Sequence, residues 1–547
     1  MTRVDSFAKD RLPAPGDLPE FVWSAIEQPV PQRLNVASFL LDERVAQGQG
    51  DRLCLVGSDG ARWTYAQLQM EVNRIARVLV DHLGLIPGQR VLLRGANSPR
   101  LAACFLAVFK AGGIAVGTMP LLRAKELAAI IEKAQISHAL CDARLADELQ
   151  MATSQSPSQT KTLSHLLYFN APVSDSATSP GGSSLEALAA QQSASFQTYD
   201  SAADDVCLMA FTSGTTGQPK AAMHFHRDVW AACQCWPPHV LRARPDDVFI
   251  GSPPLAFTFG LGGLLIFPMA IGAATVLLEK ATPDVLLAAV AAHRATVLFT
   301  APTSYRAMAG QVNQHDLSSL HKCVSAGEAL PAATRKLWKE ATGIEIIDGI
   351  GSTELFHIFI SADEAQAKPG ATGLPVPGYI AAILDDQGRP LPAGQVGRLA
   401  IKGPTGCKYL DDPRQSQYVQ NGWNLTGDAY LVDEDGHFVY QARTDDMIIS
   451  GGYNIAGPEV ESALMLHPAV AECGVVGVPD EDRGQIVKAF VVLRPGQVAD
   501  DSMARALQDF VKQTIAPYKY PRAVEFRESL PRTETGKLQR FKLRQAA

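Results

Sequence analysis

The sequence predicts an α/β protein: a large N-terminal domain, then a β-rich stretch, then a small α+β domain. Three observations carry this. Short apolar runs alternate with helical patterns through most of the chain, as a sheet covered by helices requires. From about Ile380 the strand-like runs draw together with no helical pattern between them, which predicts antiparallel pairing. Near Asp445 the pattern starts again, and the remaining stretch of about one hundred residues suits one further domain. The expected division is therefore 1–444 and 445–547.

Taken in order, Tyr65–His82 and Arg100–Lys110 carry helical spacing, and Arg90–Leu93 and Ile114–Val116 are strand-like. Between Met151 and Asp205 the chain turns rich in Ser, Thr, Gln and Ala around one strand-like run, His165–Asn170. This reads as surface connection within a domain. The alternation resumes with strands at Val248–Gly251, Val297–Thr300 and Glu345–Asp348 and helices at Pro283–His293 and Pro331–Ala341. Ile380–Leu384 and Gly397–Lys402 form the β-rich stretch. Beyond Asp445 come a strand at Met447–Ile449, a helix at Gly457–His467, strands at Val470–Val478 and Ala489–Leu493, and a helix at Met503–Thr514.

Composition narrows the function classes. With 49 Lys and Arg against 56 Asp and Glu the net charge is −7, the opposite of what a nucleic-acid groove needs. The nine cysteines are scattered, and Cys233 and Cys235 lack the second pair of a zinc site, so buried reduced thiols are expected. Val248–Leu278 carries no charge and imitates a membrane span, but Pro253, Pro254 and Pro268, with Gly260, Gly262, Gly263 and Gly272, break it below the ~20 apolar residues a span needs. The N-terminal residues contain no apolar signal core, and a cytoplasmic protein is expected.

The strongest chemical signal is Thr212-Ser-Gly-Thr-Thr-Gly-Gln-Pro-Lys220, directly after the apolar run Val206–Phe211. Its hydroxyls (Thr212, Ser213, Thr215, Thr216), its glycines (Gly214, Gly217) and its backbone N–H groups can surround a phosphate chain, and Lys220 adds a point charge. The spacing does not satisfy a Walker A loop, which counts against a P-loop ATPase or kinase.

This run resembles the phosphate loop of the adenylate-forming superfamily, which includes acyl- and aryl-CoA synthetases, luciferases and peptide-synthetase adenylation domains. Further motifs of that superfamily follow in order, and the resemblance spans Thr64 to Lys542. It implies stacked α/β sheets in the large domain, a mobile small domain, and ATP, Mg²⁺ and coenzyme A as cofactor and co-substrates. Ser325-Ala-Gly-Glu-Ala329 resembles the adenine-side loop, with Gly327, Glu328 and Ala329 beside the purine. Asp348-Gly-Ile-Gly-Ser-Thr-Glu354 matches the second nucleotide motif. By that match Asp348 accepts from the adenine amine, Gly349 and Ser352 line the nucleotide, Thr353 contacts the α-phosphate and Glu354 holds Mg²⁺, a hard ion that takes oxygen ligands.

In Trp423-Asn-Leu-Thr-Gly-Asp428 the carboxylate of Asp428 would take the ribose hydroxyls, with Arg443 of Arg443-Thr-Asp-Asp446 nearby and Asp445 as interdomain hinge. The family commonly has glycine before that arginine, where this chain has Ala442. Pro531-Arg-Thr-Glu-Thr-Gly-Lys537 completes the series. The resemblance makes Lys537, Thr216 and Glu354 the catalytic residues, and a rotation about Asp445 would exchange Lys537 for a pantetheine tunnel at Gly451, Gly452 and Tyr453.

The acid pocket is expected from Pro254-Leu-Ala-Phe-Thr-Phe-Gly260 and the second nucleotide motif, so that Phe257, Thr258, Phe259, Gly327, Ile350, Gly351 and His357 surround a flat apolar space. His357 either faces the ring or sits as a satisfied core histidine. The segment lacks the aspartate that peptide-synthetase domains use for an α-amino group, and Gly349-Ile350-Gly351 stands where small-acid synthetases have tryptophan. Asp348 to Phe359 is similar to benzoate- and 2-aminobenzoate-CoA ligases. An aromatic acid is therefore expected, 2-aminobenzoate before benzoate, in a monomer or homodimer with no nucleic-acid or membrane partner. Ligases of medium-chain or other acids, and a stand-alone enzyme loading a carrier protein, are the alternatives.

Overall fold

The computed structural model describes residues 4–23, 25–154, 163–170, 184–213, 219–450, 453–480, 483–515, 517–532 and 538–545. Two large sheets dominate the N-terminal part. The six-stranded sheet runs His165–Phe169, His138–Asp142, Arg90–Arg94, Ile114–Thr118, Val206–Ser213, Pro219–Phe225, and only its last pair is antiparallel. The nine-stranded sheet runs Leu374–Pro375, Ile358–Ser361, Ile346–Gly351, Lys322–Ser325, Val297–Thr300, Val248–Gly251, Ala274–Leu277, Leu53–Gly57, Arg62–Thr64. Its central strands are parallel and its edges antiparallel. Strands buried on both faces read as continuous apolar runs, which is why Arg90–Arg94, Ile114–Thr118, Val248–Gly251 and Val297–Thr300 were legible in the sequence, whereas His138–Asp142 and Lys322–Ser325 were not read as strands.

One continuous core joins the sheets. It links Leu93 and Leu140 of the first to Phe249 and Phe299 of the second through the buried helix Pro99–Lys110. Ser98 starts that helix by accepting from the Leu101 amide at 3.2 Å, with Pro99 in the first turn, where a missing N–H costs nothing. The helix at Tyr65–Arg77 opens on a capping box between Thr64 and Gln67 and continues through Val78–His82. His165–Phe169 pairs in parallel with His138–Asp142, which places the Ser- and Thr-rich region inside a domain.

The charge-free stretch folds as strand Val248–Gly251, a helical run from Thr258 to Ile271 stopped at Gly272 (φ +78°), and strand Ala274–Leu277. Among the described residues no helix is long and apolar enough to cross a membrane. All nine cysteines are free and buried. Burial pushes the thiols of Cys141, Cys235 and Cys323 up to about 12, so they stay protonated and unreactive.

The β-rich part is antiparallel as expected: Ile380–Leu384 pairs with Gly397–Lys402, which pairs with Trp423–Val432, which pairs with Phe438–Arg443. The smaller C-terminal domain places Val470–Asp480 beside Gly484–Leu493 and that beside Ala523–Phe526, covered by helices Gly457–Leu464 and Asp501–Thr514. Three expectations are corrected here. The first strand is Ile448–Ser450, one residue later than predicted, and it forms a hairpin with Tyr453–Ile455. The helix from Gly457 ends at Leu464 and does not reach His467, because Pro468 disfavours helical backbone in the residue before it. Ala523–Phe526 is an additional strand, only partly buried and so without an apolar signature. The two domains touch at Arg306, half-buried on helix Pro302–Met308, which donates to the Ala471 carbonyl at 3.3 Å.

Candidate active site

Parallel strands Lys322–Ser325 and Ile346–Gly351 set Ser325 beside Asp348, so the adenine-side loop and the second nucleotide motif leave the sheet together at its carboxyl edge. Ligands of open α/β sheets bind at such edges. Gly327 turns the chain with φ +94°, a conformation that favours glycine. Glu328 is half-buried and Ala329 exposed in the same turn. Asp348 is buried, and its Oδ1 has no hydrogen-bond partner among the described residues. Burial raises its carboxyl to about 7, opposed in part by the Arg335 guanidinium. A buried acceptor left open costs stability unless a ligand satisfies it.

The same strand then threads a tight passage. A Cβ on Gly349 would stand 2.7 Å from Ile358 Cγ2, and one on Gly351 would stand 2.6 Å from the His357 carbonyl. Ser352 Oγ lies 3.2 Å from Tyr418 Oη and accepts from the Leu355 amide. The Thr353 carbonyl accepts from the Phe356 amide at 3.2 Å, with Phe356 held at φ +74°, a strained backbone for a non-glycine residue.

Glu354 leads to the loop expected at the phosphates. Strand Val206–Ser213 pairs antiparallel with Pro219–Phe225, with Thr212 opposite Lys220. Lys220 Nζ donates to Tyr409 Oη at 3.0 Å and lies 3.7 Å from Glu354 Oε1, and the Tyr409 hydroxyl in turn donates to Glu354. Thr212 Oγ1 is buried with no partner among the described residues. Tyr409 was not anticipated, since no nucleotide motif contains it. Gly214, Thr215, Thr216, Gly217, Gly451, Gly452 and Lys537 lie outside the described residues, as do the side chains of Ser213, Asp445 and Tyr453.

Of the residues expected at the ribose, Asp428 and Arg443 face each other across adjacent strands, and Arg443 Nη1 donates to Asp428 Oδ1 at 3.0 Å. Ala442 pairs with Ala429, both buried, so a methyl group is accommodated there. The backbone of Asp445 belongs to the single turn Thr444–Asp446.

Of the residues expected at the acid pocket, Phe259 and His357 come together, with ring centroids 5.6 Å apart. Trp236 and Phe267 also pack on His357, at 5.6 Å and 4.5 Å, and Phe299 packs on Phe259 at 5.7 Å. Trp236, Phe267 and Phe299 carry no signal in the sequence, because they come from elements without a motif. Thr258 is buried, and Phe257 and Ile350 are half-buried. Burial lowers the His357 imidazole to about 3, so it is neutral at physiological pH. Its Nε2 lies 3.4 Å from the Phe259 carbonyl and its Nδ1 has no partner among the described residues. If Nε2 carries the hydrogen, Nδ1 is an open buried acceptor.

The AMP-binding enzyme family matches residues 42–409, and its AMP-binding enzyme C-terminal domain matches residues 459–537. The chain belongs to the AMP-binding enzyme family. It therefore has the superfamily relationship read from its motifs, and Tyr409 is the last residue of the family's first match. A benzoate–CoA ligase of Thauera aromatica is 36% identical over 523 residues, covering 94% of this chain and 97% of that protein. The structure of an anthranilate CoA ligase in complex with anthranoyl-AMP superposes with TM-score 0.88 at 36% identity, covering 96% of this chain and 98% of that one. A benzoate CoA ligase from Burkholderia xenovorans LB400 gives TM-score 0.83 at 30% identity, covering 93% and 99%. Those structures share the large N-terminal and smaller C-terminal domains of this chain.

Proposed function

We propose that the protein is an aryl-CoA ligase that prefers 2-aminobenzoate to benzoate. Its general activity is that of an AMP-forming acid–thiol ligase. A carboxylate oxygen attacks the α-phosphorus of ATP, the bond to the β-phosphate oxygen breaks and pyrophosphate leaves. The thiol sulfur then attacks the acyl carbon of the adenylate, and AMP departs with the bonding pair. Similarity to ligases of benzoate, 3-hydroxybenzoate and anthranilate along nearly the whole chain supports an aromatic acid.

The observation that carries the finer reading is the open Nδ1 of neutral His357 within the rings of Trp236, Phe259 and Phe267. An aromatic 2-amino group is an uncharged donor, and a neutral imidazole is its natural acceptor in a site that disfavours charge. In the nucleotide half, the open Oδ1 of Asp348 suits the adenine amine and the Asp428–Arg443 pair suits the ribose hydroxyls. Lys220, with the loop that precedes it, suits the triphosphate.

Glu354 fits Mg²⁺. The ion uses one or two carboxylates and completes its shell with phosphate oxygens and water, so a lone acidic side chain beside a phosphate site is adequate. When bound, it would neutralise charge on the phosphates. Among the described residues no cluster of three or more potential ligands offers a second metal site. We assign Lys537 to the first step, Asp445 to the hinge at the 444/445 boundary, and Gly451 to Tyr453 to the thiol's approach, all on motif match. The nine free buried thiols support a reducing, cytoplasmic setting.

The test compares kcat/KM for 2-aminobenzoate and benzoate in the wild type and in His357→Leu. Loss of one hydrogen bond in a buried site should cut the preference about fivefold to tenfold. An unchanged ratio would remove His357 as the acceptor.

A further inference from the structure

We propose that Tyr409 is a positioning residue of the triphosphate site: its hydroxyl holds Lys220 and Glu354 apart until a nucleotide with its divalent cation engages both. The inference rests on the reading of Glu354 as the cation's carboxylate and extends it to a residue outside the nucleotide motifs.

The segment from Thr405 to Asp412 is fastened on several sides. Thr405 Oγ1 donates to the Leu355 carbonyl at 2.8 Å, directly beside Glu354. The Met223 amide donates to the Lys408 carbonyl at 2.8 Å, and the Leu410 amide donates to the Ala221 carbonyl at 2.9 Å. Tyr409 is thereby bridged to Ala222, on the strand that carries Lys220. Extended backbone sends neighbouring side chains to opposite sides. Lys408 is fully buried against Asp228 at 2.8 Å, while Tyr409 turns to Glu354 and Lys220. The ring is 1% exposed and packs edge-on against Tyr418 at 5.8 Å, and its amide donates to Gln415 Oε1 at 2.9 Å. The phenol therefore stands where the segment fixes it.

A phenol offers one proton and accepts another, so it satisfies a carboxylate and an ammonium at once while remaining neutral. Lys220 and Glu354 stay 3.7 Å apart with the hydroxyl bonded to both. Without it the two charges would close into direct contact, as Lys408 and Asp228 do, and each would be engaged by the other. A nucleotide and its cation would then have to break a close, largely buried ion pair before either side chain could be used. With the hydroxyl present the pair is held at 3.7 Å, beyond hydrogen-bond contact, so Lys220 can turn to phosphate and Glu354 to the cation with only this longer and weaker pair to open.

Tyr409→Phe keeps the ring and removes only the bridge. The experiment is equilibrium titration by calorimetry of wild type and Tyr409→Phe with ATP alone and with ATP plus Mg²⁺. The inference expects ATP plus Mg²⁺, which must free both side chains, to bind about tenfold more weakly to the variant, and ATP alone, which draws only on Lys220, to lose less, about threefold. Equal weakening in both conditions, or none in either, would overturn it. A wild type that binds no ATP in either condition would instead overturn the nucleotide reading of the site. Should Tyr409→Phe fail to fold, 3-fluorotyrosine at position 409 of the otherwise unchanged chain gives a second readout. Its fluorine resonance should move when Mg²⁺ is added to the ATP-loaded protein, and a stationary resonance would count against the inference.

Discussion

Burial raises the Asp348 carboxyl from its ordinary value of 3.8 to about 7, so it ionises near neutral pH. The folded state thus holds this proton more tightly than the unfolded chain does. Below the unfolded value both states are protonated and the term vanishes. As pH rises from about 4 to about 7 the group costs stability, because the unfolded chain releases its proton first. In its proposed role the trend runs the other way, since an ionised carboxylate would be the stronger acceptor for an adenine amine. KM for ATP should fall as pH rises from about 6 to about 8, and Asp348→Asn should flatten that profile. Steady-state kinetics across this range checks both, and an equally steep profile in Asp348→Asn would remove Asp348 as its source. The residues proposed for the nucleotide half stand in contiguous motifs, which is how the sequence brings them forward. Tyr409 was not legible: Glu354 is 55 positions away, and only the fold brings the two together.

At the scale of elements, the buried pair Lys408–Asp228 anchors the segment behind the phosphate site to helix His226–Trp236. Both side chains are fully buried, and Asp228 Oδ2 also accepts from the Phe225 amide at 2.9 Å. Asp228→Ala would leave an ammonium buried without its partner, a change that typically costs about 3–5 kcal/mol. Urea unfolding should show this as a lower midpoint at unchanged slope. A loss below about 1 kcal/mol, the scale of an exposed pair, would mean that water reaches Lys408. The sequence shows neither residue as special, because a lysine and an aspartate far apart in the chain read as surface charges. Central parallel strands such as Val248–Gly251 and Val297–Thr300 were legible for the opposite reason, since burial on both faces writes an unbroken apolar run. Tyr453–Ile455 and Ala523–Phe526 are three and four residues long, too short for a period to show.

For the whole molecule, the proposed cycle requires two arrangements of the small domain, only one of which places Lys537 at the acid and the α-phosphate. Lys537→Ala is expected to lower adenylate formation by ~10²–10³ while leaving thioester formation from supplied acyl-adenylate nearly intact. Single-turnover assays of each half-reaction separate these, and equal losses in both would contradict separate arrangements. The division into two domains was visible in the sequence as a change of pattern. The contact of Arg306 with Ala471 was not, because no local rule links a helix of one domain to a strand of the other. The claim that this chain joins an aromatic acid to a thiol through its adenylate is tested most directly by acid-dependent ATP–pyrophosphate exchange. The measurement takes 2-aminobenzoate, benzoate, octanoate and acetate in turn, with and without coenzyme A. Exchange should be strongest with 2-aminobenzoate, then benzoate, and coenzyme A should divert the adenylate into thioester. Stronger exchange with octanoate or acetate than with either aromatic acid would contradict the account.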